Sequence, residues 1–217
     1  MTFFQSLTHD HEILDNAAGT LVSLVKLMNN ESDTPVINKI NQLIIFFQNY
    51  MIEYHIVKEE WLINELIGMQ IPADHGPLYY YIFEHKEHQK QIDNIKNQLL
   101  DDKKRENLLP LTIQFCTDLW EHIDKENSVF FPESEKVIGA GKTARLNKLL
   151  ENNKNMYDKI LKQRCIEIIQ QYPPVVSLPD SIRGDGCTSC RFYDGQCNGI
   201  ELEWWSDYQW EDLFDRE

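Results

Sequence analysis

Two short segments, His55-Ile56-Val57-Lys58-Glu59 and His122-Ile123-Asp124-Lys125-Glu126, repeat one pattern, HxxxE, in distant parts of the chain. Residues four apart lie one above the other on a helix, so each segment offers an imidazole and a carboxylate to one point. Each sits within a long amphipathic pattern, with the His flanked by apolar residues on its own face. Buried charges persist only when paired or coordinated. The repeat therefore points to helices packed around a shared cluster, with a metal held between them.

The rest of the sequence predicts where those helices run. Thr2 with Gln5 makes a capping-box pattern for a first helix to about Met28, its inner face reading Phe4, Leu7, His11, Leu14, Ala18, Leu21 and Val25. Thr34-Pro35 opens a second helix to about Ile67, with Gly68 as its stop. The third opens near Pro77 and carries Leu78, Tyr81, Ile82, His85, Ile92 and Leu99 inward. The fourth spans roughly 106–137, with Leu111, Phe115, Leu119, His122, Glu126 and Val129 inward. This is an all-α, up-down-up-down four-helix bundle. His11 and His85 each fall about eight residues into their helices, ~12 Å from one end at 1.5 Å per residue. Counting back from the ends of the two antiparallel helices brings His55, Glu59, His122 and Glu126 to the same layer. The order His, then HxxxE, occurs twice and gives the layer an approximate two-fold character. The alternative to a metal is a buried salt-bridge network, which leaves four imidazoles clustered.

At these residues the chain resembles the hemerythrin-like, or HHE cation-binding, family. Asp10-His11-Glu12-Ile13-Leu14 resembles its first motif, HIVKEE at 55–60 its second, Gly76-Pro77 with Phe83-Glu84-His85 its third, and HIDKENSVFFP at 122–132 its fourth. The resemblance covers residues 1 to about 138. It implies a non-haem centre of two iron ions, with His11, His55, His85 and His122 as terminal ligands and Glu59 and Glu126 as bridging carboxylates. The family's oxygen carriers have HxxxH on helix 3 and HxxxxD on helix 4, whereas here Gln89 follows His85 by four and the shorter HxxxE stands in helix 4. Two imidazoles and two shared carboxylates per iron leave room for a small ligand, which favours reaction with, or sensing of, O2, NO or peroxide. Zinc or manganese in the bundle remains an alternative.

Further candidates flank the six. Tyr81 and Asp118 lie one turn before proposed ligands, Asp15 one turn after His11, and His88 three residues after His85, so each is a possible additional ligand or a support to one. Tyr81 reads more readily as a core aromatic, and Asp15 and Asp118 as hydrogen-bond partners of ligand imidazoles. His9 and His75 read as solvated, and Lys58, Glu60 and Lys125 as exposed helix charges. Other chemistries are excluded by pattern. No His has Glu three residues before it, as ferritin-like sites require, and there is no HExxH. Gly139-Ala140-Gly141-Lys142-Thr143 lacks the leading glycine of a phosphate loop and reads as an interhelix turn.

Composition narrows the partners. A formal charge of −14 disfavours nucleic acid and anionic membrane as partners, both of which call for basic surface. The apolar runs fall short of the ~20 residues of a membrane helix, and the first residues lack a secretory pattern, so the expected location is cytoplasmic. Three segments are expected: the bundle at 1–138, additional helices docked on it at 139–172 with Leu146, Leu149, Leu150, Met156, Ile160, Leu161, Cys165 and Ile168 as their apolar stripe, and a Cys-rich acidic and aromatic tail at 173–217. In the tail, Cys187, Cys190 and Cys197 with Cys165 make a candidate iron–sulfur or zinc site, and the alternatives are a redox-active CxxC pair or unligated thiols. Two functional classes stand open. One is a di-iron oxidoreductase that takes electrons through the tail, with a redox partner protein. The other is a sensor of O2, NO, redox state or iron that signals through the tail without turnover.

Overall fold

The computed structural model describes residues 1–28, 34–153 and 157–174. The first helix, α1 (Phe3–Leu27), starts where the sequence places it. The Thr2 hydroxyl accepts from the Gln5 N–H at 3.2 Å while the Gln5 side chain accepts from the Thr2 N–H at 2.9 Å, closing the capping box. The second rod is α2 (Thr34–Phe46), a π-helical segment (Phe47–His55) and α3 (Ile56–Ile67). Next come α4 (Gly76–Leu100), a 3-10 segment (Asp102–Asn107) and α5 (Leu108–Lys125). A second π segment (Glu126–Phe130) joins α5 to α6 (Phe131–Asn152), and α7 (Lys159–Gln171) follows. No strand occurs among the described residues.

The π segments have identifiable causes. Phe47, Met51, His55 and Glu59 are all buried at a four-residue spacing. An α-helix drifts about 40° over four residues, so this run would wind off the core. The wider π turn keeps it inward, with the Ile56 N–H bonded five residues back to the Met51 carbonyl. The second segment lies just before Pro132, whose ring would meet the preceding turn of a regular helix; there the Phe131 N–H bonds back to the Glu126 carbonyl. Short π segments are uncommon and concentrate at functional sites. Both of these end or begin at a residue of the HxxxE repeats.

Two apolar clusters form the core. One gathers Leu14, Leu21, Ile44, Phe47, Tyr50, Ile92, Phe115 and Leu119, among others, and the other Phe3, Leu7, Leu62, Leu66, Leu78, Tyr81, Phe130 and Leu146. Along each rod the clusters are separated by polar residues: His11 lies between Leu7 and Leu14, Glu59 between Tyr54 and Leu62, His85 between Tyr81 and Ile92, and Glu126 between Ile123 and Phe130. The bundle thus has two apolar clusters with a layer of buried His and Glu side chains between them.

Several local expectations change. Gly68 keeps a right-handed helical conformation, and the chain turns instead at Gln70, with φ 69°. Gly139, at φ 69° and ψ 169°, breaks α6, consistent with an interhelix turn there. The residues after the break return to the end of the bundle: the Asn147 side chain accepts from the Phe3 N–H at 2.7 Å, Arg145 pairs with Glu65 at 3.0 Å, and Leu146 is buried with Phe3 and Leu62. The α7 helix packs on α1 and α2 through Cys165, Ile168 and the half-buried Leu161. Ile160, expected in that stripe, is 67% exposed, because the inward face of α7 is set by Leu161, Cys165 and Ile168. Met156 lies outside the described residues. No described helix is long and apolar enough to cross a membrane.

Candidate metal centre

The polar layer draws one side chain from α1, two from the second rod, one from α4 and two from the fourth. His55 and Glu59 are one helical turn apart, as are His122 and Glu126, so each pair aims along one face. All six are buried. His55 Nε2 lies 2.8 Å from Glu59 Oε1 and His11 Nε2 lies 3.6 Å from it, while His85 Nε2 lies 3.2 Å from the other oxygen of Glu59. Glu126 faces His11 and His122 through Oε2, each at 3.3 Å, and His85 through Oε1 at 3.9 Å. Two overlapping groups result, His11-His55-Glu59-Glu126 and Glu59-His85-His122-Glu126. Within each, one ligand atom per residue lies within 4.8 Å of all the others. Both carboxylates belong to both groups.

The outer nitrogens of three imidazoles are fixed. His11 Nδ1 faces Asn127 Oδ1 at 2.8 Å, His55 Nδ1 faces Asp10 Oδ2 at 3.2 Å, and His122 Nδ1 faces Glu84 Oε2 at 2.8 Å. Each partner is an acceptor, so each Nδ1 holds a proton towards it and each ring turns its Nε2 inward. There His11 Nε2 and His55 Nε2 face each other at 2.9 Å. Both oxygens of Glu59, both of Glu126 and His85 Nε2 make no aligned hydrogen bond despite full burial. Such a set needs positive charge at its centre. Protons supply it in part: although burial opposes the charge, Glu126 and Glu59 push both His11 and His85 up to about 10. Burial likewise opposes ionisation of Glu59, yet His55, His11 and His85 hold it well below the usual carboxylate range. Two cations at these positions would satisfy every orphaned atom at once, and imidazole with carboxylate is a donor set suited to iron.

The flanking candidates take other places. His88 is buried against the rings of His122 and Phe115, with Nδ1 3.4 Å from Gln91 Oε1 and no partner at Nε2. Burial and the neighbouring His122 press it down to about 3, so it is neutral, and it belongs to neither group. The Tyr81 ring packs on His122 and Phe130, and burial with the charges of Glu126, Glu84 and Glu59 keeps its phenol protonated. Asp118 meets two amide side chains. It accepts from Gln91 at 2.6 Å and Gln114 at 2.7 Å, and so anchors the partner of His88. Asp15 is half-buried on α1, and the acceptor at His11 is Asn127 instead. His9 and His75 lie at the surface, with Glu12 and Asp74 as their respective neighbours.

Lys58 overturns its expectation. It is fully buried, not an exposed helix charge, and is ion-paired with Asp10, with Ser6 Oγ at 3.3 Å and the Tyr54 ring below it at 4.6 Å. Its physical reason is Asp10, which could not be buried beside His55 without a cation. Lys125, half-buried, pairs in the same way with Glu84. Asp10, Glu84 and Asn127 were not candidates in the sequence, yet a signal was there: each acid immediately precedes a lone His, at Asp10-His11 and Glu84-His85.

Cys165 lies in the apolar core, 1% exposed, with its thiol pushed up by burial. To ligate a metal with the tail it would have to leave that core. Cys116 is also buried and donates to the Ala18 carbonyl at 3.3 Å. Cys187, Cys190 and Cys197 lie outside the described residues.

Residues 2–134 match the model of the hemerythrin HHE cation-binding domain. No curated protein and no solved structure was found to match the chain.

Proposed function

The chain belongs to the hemerythrin HHE cation-binding family, and from that premise we propose that it is a di-iron protein that reacts with a small oxidant such as O2, NO or peroxide. His11 and His55 would hold one iron and His85 and His122 the other, with Glu59 and Glu126 shared between them. The observation that carries the reading is the pair of buried groups that share both carboxylates. Each group offers four protein atoms, fewer than the six positions of octahedral iron, so small ligands have room to bind. When bound, the irons supply electrons to such a ligand by passing between ferrous and ferric states.

The chain's own residues set the conditions for that chemistry. Glu59 and Glu126 keep two cations together. Asn127, Asp10 and Glu84 aim three of the imidazoles and fix their tautomers. The apolar clusters above and below the layer hold bulk water away, which strengthens every charge interaction inside it. Tyr81, protonated beside His122, brings a phenol and not a phenolate to the edge of the layer.

A sensor without turnover is the second reading, favoured by one specific contact. Lys162 of α7 donates to the Tyr50 hydroxyl at 2.9 Å, Tyr50 donates to Asp10 at 2.5 Å, and Asp10 accepts from His55. This chain of bonds links the candidate centre to the helix that leads into the Cys-rich tail. In the enzyme reading, a Cys-bound iron–sulfur or zinc centre in the tail would take part in electron transfer or structure. Stopped-flow mixing with oxidant and an electron donor separates the two: repeated consumption supports the enzyme, and a single stoichiometric spectral change supports the sensor.

A further inference from the structure

The two halves of the layer share a device that the six candidate ligands do not include. Each HxxxE segment is in fact HxxKE, and each lone His is preceded by an acid. In the fold the acid reaches across to the next rod. Asp10 takes the Nδ1 of His55 and the ammonium of Lys58, and Glu84 takes the Nδ1 of His122 and the ammonium of Lys125. Lysine three residues after histidine lies on nearly the same helical face, so one carboxylate meets both. We propose that Asp10 with Lys58, and Glu84 with Lys125, are two copies of one positioning device for the second imidazole of each metal-binding half, and that the Glu84 copy makes its half the weaker.

Within each copy the roles divide. The carboxylate fixes the imidazole tautomer and raises its basicity. The lysine occupies the carboxylate's second oxygen or shares the first, and so holds the acid in the outer layer, where it orients a ligand without becoming one. The copies differ in their surroundings. The Asp10 and Lys58 side chains are 4% and 0% exposed, and Tyr50 and Ser6 add further bonds. The Glu84 and Lys125 side chains are 26% and 21% exposed. Solvent screens the second pair and competes for its hydrogen bonds, so it constrains His122 less firmly than the first constrains His55.

The inference rests on the reading that the layer binds two metals, and the test keeps the two apart. Metal-free protein is titrated with Co(II), which reports each site by its absorption, and far-UV circular dichroism checks that each variant is folded. The wild type is expected to fill in two distinguishable steps. Glu84→Ala should weaken the later step about 10- to 100-fold and leave the earlier one nearly unmoved. Glu84→Gln, whose amide oxygen still accepts from His122, should restore most of the loss, and Lys125→Met should weaken the same step. Asp10→Ala should act on the earlier step instead. Two equivalent steps in the wild type, a Glu84→Ala effect shared equally by both, or no recovery with Gln would overturn the inference. Failure of the wild type to bind any Co(II) would overturn the metal reading itself, and the inference with it.

Discussion

Replacement of Lys58 by Met tests the buried pair as an element of the fold, apart from any metal. Lys58 is wholly enclosed and its partner Asp10 is nearly so. Removal of one member of a buried ion pair costs about 3–5 kcal/mol, because the other charge stays behind without compensation. After Lys58→Met, Asp10 keeps Tyr50 as a donor at 2.5 Å and His55 at 3.2 Å, which places the cost near the lower end, about 3 kcal/mol. After Asp10→Ala, the ammonium keeps only Ser6 oxygens at 3.3 and 3.4 Å, the Tyr54 face and the more distant charge of Glu59, so the cost lies near the upper end, about 5 kcal/mol. For a chain of this length each kcal/mol lowers the melting temperature by about 2–4 °C, giving drops of about 6–12 °C and 10–20 °C. The double variant Lys58→Met/Asp10→Ala removes both charges and should cost less than the sum of the two single variants. Urea unfolding of the metal-free proteins at pH 7 measures all three. A Lys58→Met variant as stable as the wild type, or a double variant that shows simple additivity, would refute the argument that this charge pair is a coupled unit.

The remaining predictions concern pH, the kink and the excluded histidine. In metal-free protein, His11 and His85 are raised to about 10, so their contribution is complete below the unfolded value of about 6.5 and is lost as pH rises through 10. Asp10, Glu59 and Glu84 are depressed, so theirs is complete above about 4.3 and is lost as pH falls towards their folded values. His88, pressed down to about 3 chiefly by burial, withdraws stability as pH falls below its unfolded value of about 6.5, so stability by urea titration should peak near pH 6.5, and metal binding at pH 7 should release protons measurable with an indicator dye. Gly139→Ala should cost about 1–3 kcal/mol, seen as a lower urea midpoint, because φ 69° with ψ 169° is a backbone conformation essentially confined to glycine, even though no atom crowds the new methyl. His88→Phe, which changes a ring outside both groups, should leave metal content unchanged by elemental analysis.

Much of this architecture is legible in the sequence because helices convert spacing into direction. His55 with Glu59 and His122 with Glu126 need only the four-residue period to share a face, and the helix starts at Thr2 and near Pro77, with the expected ends of the second and fourth helices, place the depths that bring the layer level. What the sequence hides is contact between rods. Lys58 has the look of any helical lysine until Asp10 of α1 is seen against it, and Asn127, beside a candidate ligand, shows no hint that it faces His11. The π turn at Phe47–His55 also escapes, because its cause is the burial of Phe47, Met51 and His55 together. In α7 the alternation of apolar residues leaves Ile160 and Leu161 as rival inward positions, and only docking against α1 and α2 decides for Leu161.

The central claim is that the polar layer binds two metal ions through side chains shared between the halves. Elemental analysis of protein purified without oxygen from iron-replete cells tests it most directly, with Glu126→Ala and His75→Ala alongside. The account predicts about two irons per chain in the wild type and in His75→Ala, and loss from both halves in Glu126→Ala because that carboxylate belongs to both groups. Iron-free wild type carrying zinc in its place would contradict the di-iron reading, and undiminished iron in Glu126→Ala would contradict the shared layer.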